Sequence, residues 1–471
     1  LWKDCVWAFL VGGAICLLGE VLRKSYAAGG MTLGDAGTLT SVTLIAISAL
    51  TTALGWYQKL AAKAGAGTLV PITGFANAVV SPAIEFKCEG YVPGVGAKMF
   101  LIAGPVIVYG LLASTVWGVL YYFLRPFIYK ESERVRKGDT ILFETPPAIA
   151  EFAAVGGKRE GEGPLAARFD LLFEENSLGQ ETWEQSESQL QRHCLDLALQ
   201  KANLAAAQLD LILAGDLENQ CTASAYTLRE VDVPFAGLYG ACSTMAEALG
   251  LAACLAAAGF VNHAAAMTSS HFCAAERQFR TPLVYGGKRA PTAQWTATAA
   301  GCCILAGKGQ GPFVKSVTFG RVRDYEIKDI NNMGAAMAPA AAETILRHCA
   351  DTKRTPGDFD AVFTGDLGIV GTRLLKEILE KEGLKLDNHQ DCGLLLYDID
   401  SQDVQAGGSG AGCSASVLCA HVLPALRAGK LKKVLFLSTG ALMSQITFLQ
   451  GESIPGVAHL VELASEKEGQ A

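Results

Sequence analysis

The chain is 471 residues long, with 39 basic and 46 acidic side chains, a formal net charge of −7, half of its residues hydrophobic and a mean hydropathy of +0.27. So apolar a composition excludes an intrinsically disordered chain, and the acidic balance argues against non-specific nucleic-acid binding. Its 14 cysteines are dispersed, form no CxxC and sit among Ala and Leu, which excludes a small disulfide scaffold and suits a reducing compartment.

The charge is unevenly spread: residues 1–130 carry nine Lys/Arg and five Asp/Glu, whereas residues 131–471 carry 30 and 41. Two materials with different solvents are joined, an apolar membrane domain over 1–130 and an acidic globular domain over 138–471. The first uncharged run, between Asp4 and Glu20, has 15 residues, short of the about 20 that a helix needs to cross a bilayer. The chain opens on Leu1 without a Met, so this span is expected to be clipped by missing N-terminal residues. A second uncharged run covers 36–58.

Residues 64–84, AGAGTLVPITGFANAVVSPAI, are uncharged but carry three Gly, Pro71, Pro82 and Asn77. They predict a broken helix, either interfacial or kinked within a bundle, or lining a pore. The last run has 26 residues between Lys98 and Arg125, with Trp117, Tyr121 and Tyr122 toward its end as at a membrane interface. Three to four spans result. The densest basic cluster, Arg125, Lys130, Arg134, Arg136 and Lys137, follows the last of them and favours a cytoplasmic C-terminal part.

Residues 131–137, within YKESERVRK, read as a linker. Beyond it short apolar runs alternate with Ala/Leu-rich stretches. LDLILAGD (209–216), DAVFTGD (360–366) and VLFLSTG (434–440) predict strands, while LGLAACLAAAGF (249–260) and SASVLCAHVLPALRAG (414–429) predict helices, a layered α/β fold. The segments also recur. RHC and LDLILAGDL at 192 and 209 are echoed by RHC and FDAVFTGDL at 347 and 359, GACSTMAEAL at 240 by AGCSASVLCA at 411, and AAAMTSS at 264 by VLFLSTG at 434. Their common order predicts a duplication, with halves of about 138–315 and 316–471. Their small-residue turns would face each other.

Cys242 is the candidate for chemistry. In VPFAGLYGACSTMAEALGLAA a strand-like segment meets a Gly-Ala turn and an apolar helix starts just after the Cys. Unpaired N–H groups and the helix dipole are expected to favour its thiolate, as in a nucleophile elbow. A small residue at a tight junction is the alternative. GAGCSA (410–415) fits a dinucleotide pattern that the duplication explains better. DNHQDC (387–392) reads as a turn rather than a metal site. NMGAAMAPAAAET (332–344) leads into a helix with Pro339 in its first turn.

GACSTMAEALG, AAMTSSHFCAAERQFR, NNMGAAMAPAAAETI, TGDLGIVGT, DCGLLLYD and QAGGSGAGCSASV resemble the stage V sporulation protein AD family, thiolase-like members of the spore-membrane SpoVA assembly, over roughly 138–465. DCVWAFLVGGAICLLGE and AGAGTLVPITGFANAVVSPAIEFKCEGYVPGVG resemble its membrane partner, the stage V sporulation protein AC family. The resemblance implies a fusion whose thiolase-like domain binds dipicolinic acid, as its calcium chelate, for transport across the spore inner membrane in sporulation and germination. Implied partners are dipicolinic acid, other SpoVA subunits, the membrane and a second copy of the chain, with no nucleic acid. Calcium enters only as part of the ligand, and no cofactor is implied.

The same resemblance raises acyl-CoA condensing or transfer chemistry on Cys242 as an alternative, and a scaffold with a vestigial pocket as another. Condensing enzymes of the thiolase superfamily need His and a second His or Asn beside the Cys. Here TGDLGIVGTRLL offers Asp366 and AGGSGAGCSAS offers neither, while His348 and His421 fall in helical stretches. A binder is therefore expected rather than an enzyme. Cations and N–H donors would hold the two ligand carboxylates. The residues expected near the pocket are Cys242, Ser243, Ser270, His271, Arg280, Lys288 and Asp366. His271 equally suits a helix cap, and Arg277 and Arg280 equally suit an exposed helical face.

Overall fold

The computed structural model describes residues 2–128, 135–279, 283 and 287–466. It divides into two compact units, Leu1–Glu131 and Ser132–Ala471.

The first unit is helical: α1 (Trp2–Ala28), α2 (Leu33–Ala53), α3 (Trp56–Ala64), α4 (Ile72–Glu85) and α5 (Ala103–Ile128). Trp2–Ala28, Leu33–Ala53 and the Ala103–Tyr121 part of α5 are long and apolar enough to cross a membrane. The uncharged run between Asp4 and Glu20 understates α1, because Glu20 pairs with Arg23 at 2.9 Å and the helix runs on past both.

The helix break expected in 64–84 is present. The chain turns at Gly65 (φ +49°), makes a single turn over Ala66–Leu69 and re-enters a helix after Pro71. The freed backbone is satisfied from within: Tyr57 Oη donates to the Thr68 carbonyl at 2.7 Å and Ser48 Oγ to the Thr73 carbonyl at 2.6 Å. Gly67 lies so near α1 that a Cβ would meet the Ala8 carbonyl oxygen at 2.2 Å. Thr68, Thr73 and Pro82 are buried. These are the conditions under which irregular backbone is tolerated in apolar surroundings.

The second unit carries the duplication. Its first repeat contains β1 (Ala148–Gly156), α6 (Trp183–Ala202), β2 (Leu211–Gly215), β3 (Phe235–Gly237), α7 (Thr244–Ala257), β4 (His263–Ser270), α8 (Phe272–Glu276) and β5 (Ala299–Ala306). The second contains β6 (Phe313–Thr318), α9 (Met333–Thr352), β7 (Ala361–Thr364), α10 (Gly368–Lys381), β8 (His389–Asp391), α11 (Ala411–Val417), β9 (Lys433–Ala441) and β10 (Gly456–Ala464). Across the sheet the strands run β8-β7-β9-β10-β6-β1-β5-β4-β2-β3. Each repeat thus orders its strands third, second, fourth, fifth, first. The fifth is antiparallel to both neighbours, and the second is parallel to the third and fourth.

Among the described residues the half-sheets pair at Phe313 opposite Ala148, and they face each other across a layer formed by α7 and α11. α7 packs on strands of both half-sheets, and all seven residues of α11 are buried. Ala, Gly, Ser and Cys dominate both helices because backbone meets backbone there: a Cβ on Gly412 would lie 2.0 Å from the Ala299 carbonyl oxygen. α6 covers the outer face of the first half-sheet, and α9, with α10 packed on it, covers the second. This is the layered, duplicated α/β arrangement expected of a thiolase-like domain.

Several local readings are corrected. The 315/316 boundary between halves falls inside β6; the connection is 307–312. The 131–137 linker lies largely outside the described residues, but Val135–Lys137 is already a strand paired with Thr140–Leu142. Pro339 is the seventh residue of α9, not in its first turn. DNHQDC is no turn: its HQD forms β8 on β7.

Candidate functional site

The site is built where the two repeats present equivalent turns to each other. After β3 the chain reverses through Gly240, Ala241 and Cys242, with Ala241 at φ +52° and the Ser243 N–H donating to the Gly240 carbonyl at 3.0 Å. A non-glycine residue in the left-handed region marks a sharp, over-determined turn. The elbow expected at Cys242 is therefore formed. Room for it comes from Gly440 at the end of β9, where a Cβ would meet the Gly240 carbonyl oxygen at 2.2 Å.

The electrostatics of the thiol are the reverse of those expected. Cys242 is 7% exposed, and its Sγ lies 3.9 Å from Ser409 Oγ. Ser409 donates to Asp366 Oδ2 at 2.8 Å, the Gly410 N–H to the same oxygen at 3.0 Å, and Thr439 to Oδ1 at 2.7 Å. Burial first, and the Asp366 carboxylate second, push the Cys242 thiol well above its usual range. Helix-terminal N–H groups lose to desolvation and a like charge, so the resting form is the thiol. Asp366 is itself fully buried and raised by burial, against the donors that favour its charge. Its loop is fixed by Asp391, which accepts from Thr364 Oγ1 at 2.7 Å and from the Leu367 and Gly368 N–H groups at 2.9 and 3.0 Å.

A cleft of about 690 Å³ opens on Cys242. The first repeat lines it with Glu184, the loop around Glu218, Tyr239, Arg277 and Thr296, and the second with Met333, Ser409, Ala441, Met443 and Ile446. Of the residues expected near a pocket, Cys242 lines this one and Asp366 stands directly behind Ser409. Ser243 is fully buried and bonds the Gly240 carbonyl at 2.6 Å. Ser270 is spent on the contact between repeats, donating to the Ala297 carbonyl at 2.7 Å and accepting from the Gly412 N–H at 3.1 Å.

His271 is the cap of α8: its Nδ1 accepts from the Cys273 N–H at 3.2 Å and its Nε2 meets the Asn176 carbonyl at 2.8 Å. That pattern fixes a neutral ring with the proton on Nε2, and burial lowers its pKa further. His271 therefore supplies no cation. Lys288 is exposed and away from the cleft lining, and Arg280 lies outside the described residues. Among the described residues the cation that does line the cleft is Arg277, paired with Glu184.

Sequence reasoning weighed Arg277 without choosing it and missed Thr439 and Asp391. The duplication held the signal for Thr439, since it sits in the STG that echoes TSS. Among the described residues no group of three or more His, Cys, Asp or Glu side chains is placed to hold a metal ion.

Comparison with known proteins accounts for both units. The family Stage V sporulation protein AD (SpoVAD) matches residues 137–464, and the family SpoVAC/SpoVAEB sporulation membrane protein matches residues 4–120. The chain is 43% identical over 321 residues to Stage V sporulation protein AD of Bacillus subtilis (strain 168), covering 68% of this chain and 95% of that protein. It is 47% identical over 120 residues to Stage V sporulation protein AC of the same organism, covering 25% of this chain and 80% of that one. Among solved structures, 3-oxoacyl-[acyl-carrier-protein] synthase III from Aquifex aeolicus is 13% identical, covering 68% of this chain and 99% of its own, with a TM-score of 0.42. Cerulenin-bound OleA from Xanthomonas campestris is 15% identical, covering 70% of this chain and 99% of its own, at 0.44. The chain belongs to the stage V sporulation protein AD family, joined in one polypeptide to a sporulation membrane protein of the SpoVAC/SpoVAEB kind.

Proposed function

We propose that the chain is a membrane-tethered binding subunit that takes dipicolinic acid, as its calcium chelate, into the Cys242 cleft for transport across the spore inner membrane. Membership of two sporulation families supports a role in the spore, and the three apolar helices support the membrane setting. Other SpoVA subunits would complete the transport path.

The observation that carries a binder over an enzyme is the environment of Cys242. Its thiol is held beside Ser409 and a buried carboxylate, with no histidine bonded to it among the described residues. A nucleophile needs its proton removed, and a neighbouring anion opposes that. What remains is a recess between repeats with one arginine among its described residues and walls from Tyr239, Met443 and Ile446, which suits a flat aromatic dicarboxylate.

Calorimetric titration of the whole chain in detergent with dipicolinate, with and without calcium, tests this. Saturable binding is expected, and no heat at about millimolar ligand overturns it. The strained Ala241 elbow favours one second reading, an acyl-enzyme on Cys242. Incubation with acyl-CoA followed by mass spectrometry separates the two, because an adduct on Cys242 belongs to the enzyme reading alone.

A further inference from the structure

Three carboxyl side chains, Glu187, Asp216 and Glu218, are buried beside the Cys242 cleft. Asp216 after β2 is fully supplied, accepting from the Ser224 N–H at 2.8 Å, Ser224 Oγ at 2.7 Å and the Glu218 N–H at 2.9 Å. Glu187 on α6 accepts at Oε1 from Ser269 Oγ at 2.9 Å. Glu218, in the loop after β2, is 2% exposed and lines the cleft, yet neither of its carboxyl oxygens has a hydrogen-bond donor. A carboxylate so buried keeps most of its desolvation cost uncompensated until a donor or a cation reaches it. The cleft is the side from which one can come.

The charges lining the cleft say which. Among the described residues they are Glu184, Glu218 and Arg277. Arg277 is already paired with Glu184, so the unmatched charge is that of Glu218. The titratable groups that act on it, Asp216 and Glu187, are acids as well. A bare dipicolinate dianion therefore meets a net negative wall, whereas its calcium chelate is neutral and presents a cation. Dipicolinate holds calcium through its ring nitrogen and one oxygen of each carboxylate, which leaves open about half of the positions that calcium fills. The other oxygen of each carboxylate stays available to Arg277. Oxygen donors suit the open positions, and Glu218 with the neighbouring side-chain amides of Asn219 and Gln220 offers them on one stretch of the lining. The described residues form no cage of three or more His, Cys, Asp or Glu for a free ion. A metal that arrives already chelated needs less.

We infer that Glu218 binds the calcium of the chelate, so that the cleft selects calcium dipicolinate over the free dianion. Water leaves the metal as the carboxylate takes its place. The ligand is then held from both ends, its carboxylates by Arg277 and its metal by Glu218. This selection rests on reading the cleft as the dipicolinate site.

The test uses the whole chain in detergent at about pH 8, above the value of about 7 to which burial and the Asp216 charge raise Glu218. In calorimetric titrations, dipicolinate with equimolar calcium should bind at least about tenfold more tightly than calcium-free dipicolinate, and calcium alone should not bind. Glu218→Gln should bind both forms alike, and should hold free dipicolinate no more weakly than wild type, which reports that it is folded. With terbium in place of calcium, luminescence lifetimes of the equimolar terbium–dipicolinate complex in light and heavy water count the waters on the metal. Binding to wild type should remove at least about one of them. Equal wild-type affinity for the two forms, a calcium preference that survives in Glu218→Gln, or a water count unchanged on binding overturns the inference and leaves the dipicolinate site standing. Calcium alone binding as tightly as the chelate also overturns it, because the chain would then hold the ion by itself. If Glu218→Gln binds neither form, the wild-type water count decides. No binding of either form by wild type overturns the reading of the cleft and the inference with it.

Discussion

At the scale of single residues, Cys242 shows how position and environment can oppose each other. The sequence placed it at a helix start, where a thiolate is favoured, but could not show that the opposite repeat delivers Asp366 to the same point. Alkylation of Cys242 should therefore be slow near neutral pH and rise only in alkali. Asp366→Asn should speed it, by about tenfold for each unit of pKa restored; alkylation rates followed by mass spectrometry against pH check both. Ser409→Ala should cost stability by about 1–3 kcal/mol, because a buried carboxylate oxygen loses a donor; denaturant unfolding of the variant measures it. His271 was legible both as a ligand and as a cap, and the distinction lay in Asn176, 95 residues earlier in the chain. No local pattern carries such a partner.

Among the elements, the strand and helix readings at 209–216, 249–260, 360–366 and 434–440 match β2, α7, β7 and β9, because each is apolar with a period or length that admits one structure. Pro339 and the 387–392 segment misled because tertiary packing overrode local preference: α9 continues through its proline, and β8 is held by β7 and by Asp391. The duplication was the strongest element-scale signal, and it rests on small residues at the central helices. Gly412→Val should destabilise the domain by about 1–3 kcal/mol or more, since the added atoms meet backbone rather than a movable side chain; thermal unfolding of the whole chain reports it.

Buried histidines give a second handle at this scale. His348 on α9 is held by burial down to about 4 and bonds Thr318 at 2.9 Å. The unfolded chain takes up that proton at about 6.5. Its contribution is thus present above about 6.5 and lost as pH falls toward about 4. His348→Gln should shrink this acid loss in melts recorded across the interval.

At the scale of the whole molecule, the composition already separated an apolar part from an acidic one, and the structure gives each its own compact unit. The acidic balance poses a problem for a dianionic ligand, and the proposed binding would meet it locally, through Arg277 in the cleft, rather than with a positive surface. The same acidity places Glu184 and Glu218 at the cleft. Sequence could not choose among His271, Arg277, Arg280 and Lys288, because the choice depends on partners distant in the chain, Asn176 for His271 and Glu184 for Arg277. The most direct measurement is dipicolinate titration of the whole chain and of two variants. Wild type should bind, Arg277→Ala should bind at least about tenfold more weakly through loss of a charge-assisted contact, and Lys288→Ala should match wild type. Binding by Arg277→Ala as tight as wild type, or no binding by wild type, would contradict the account.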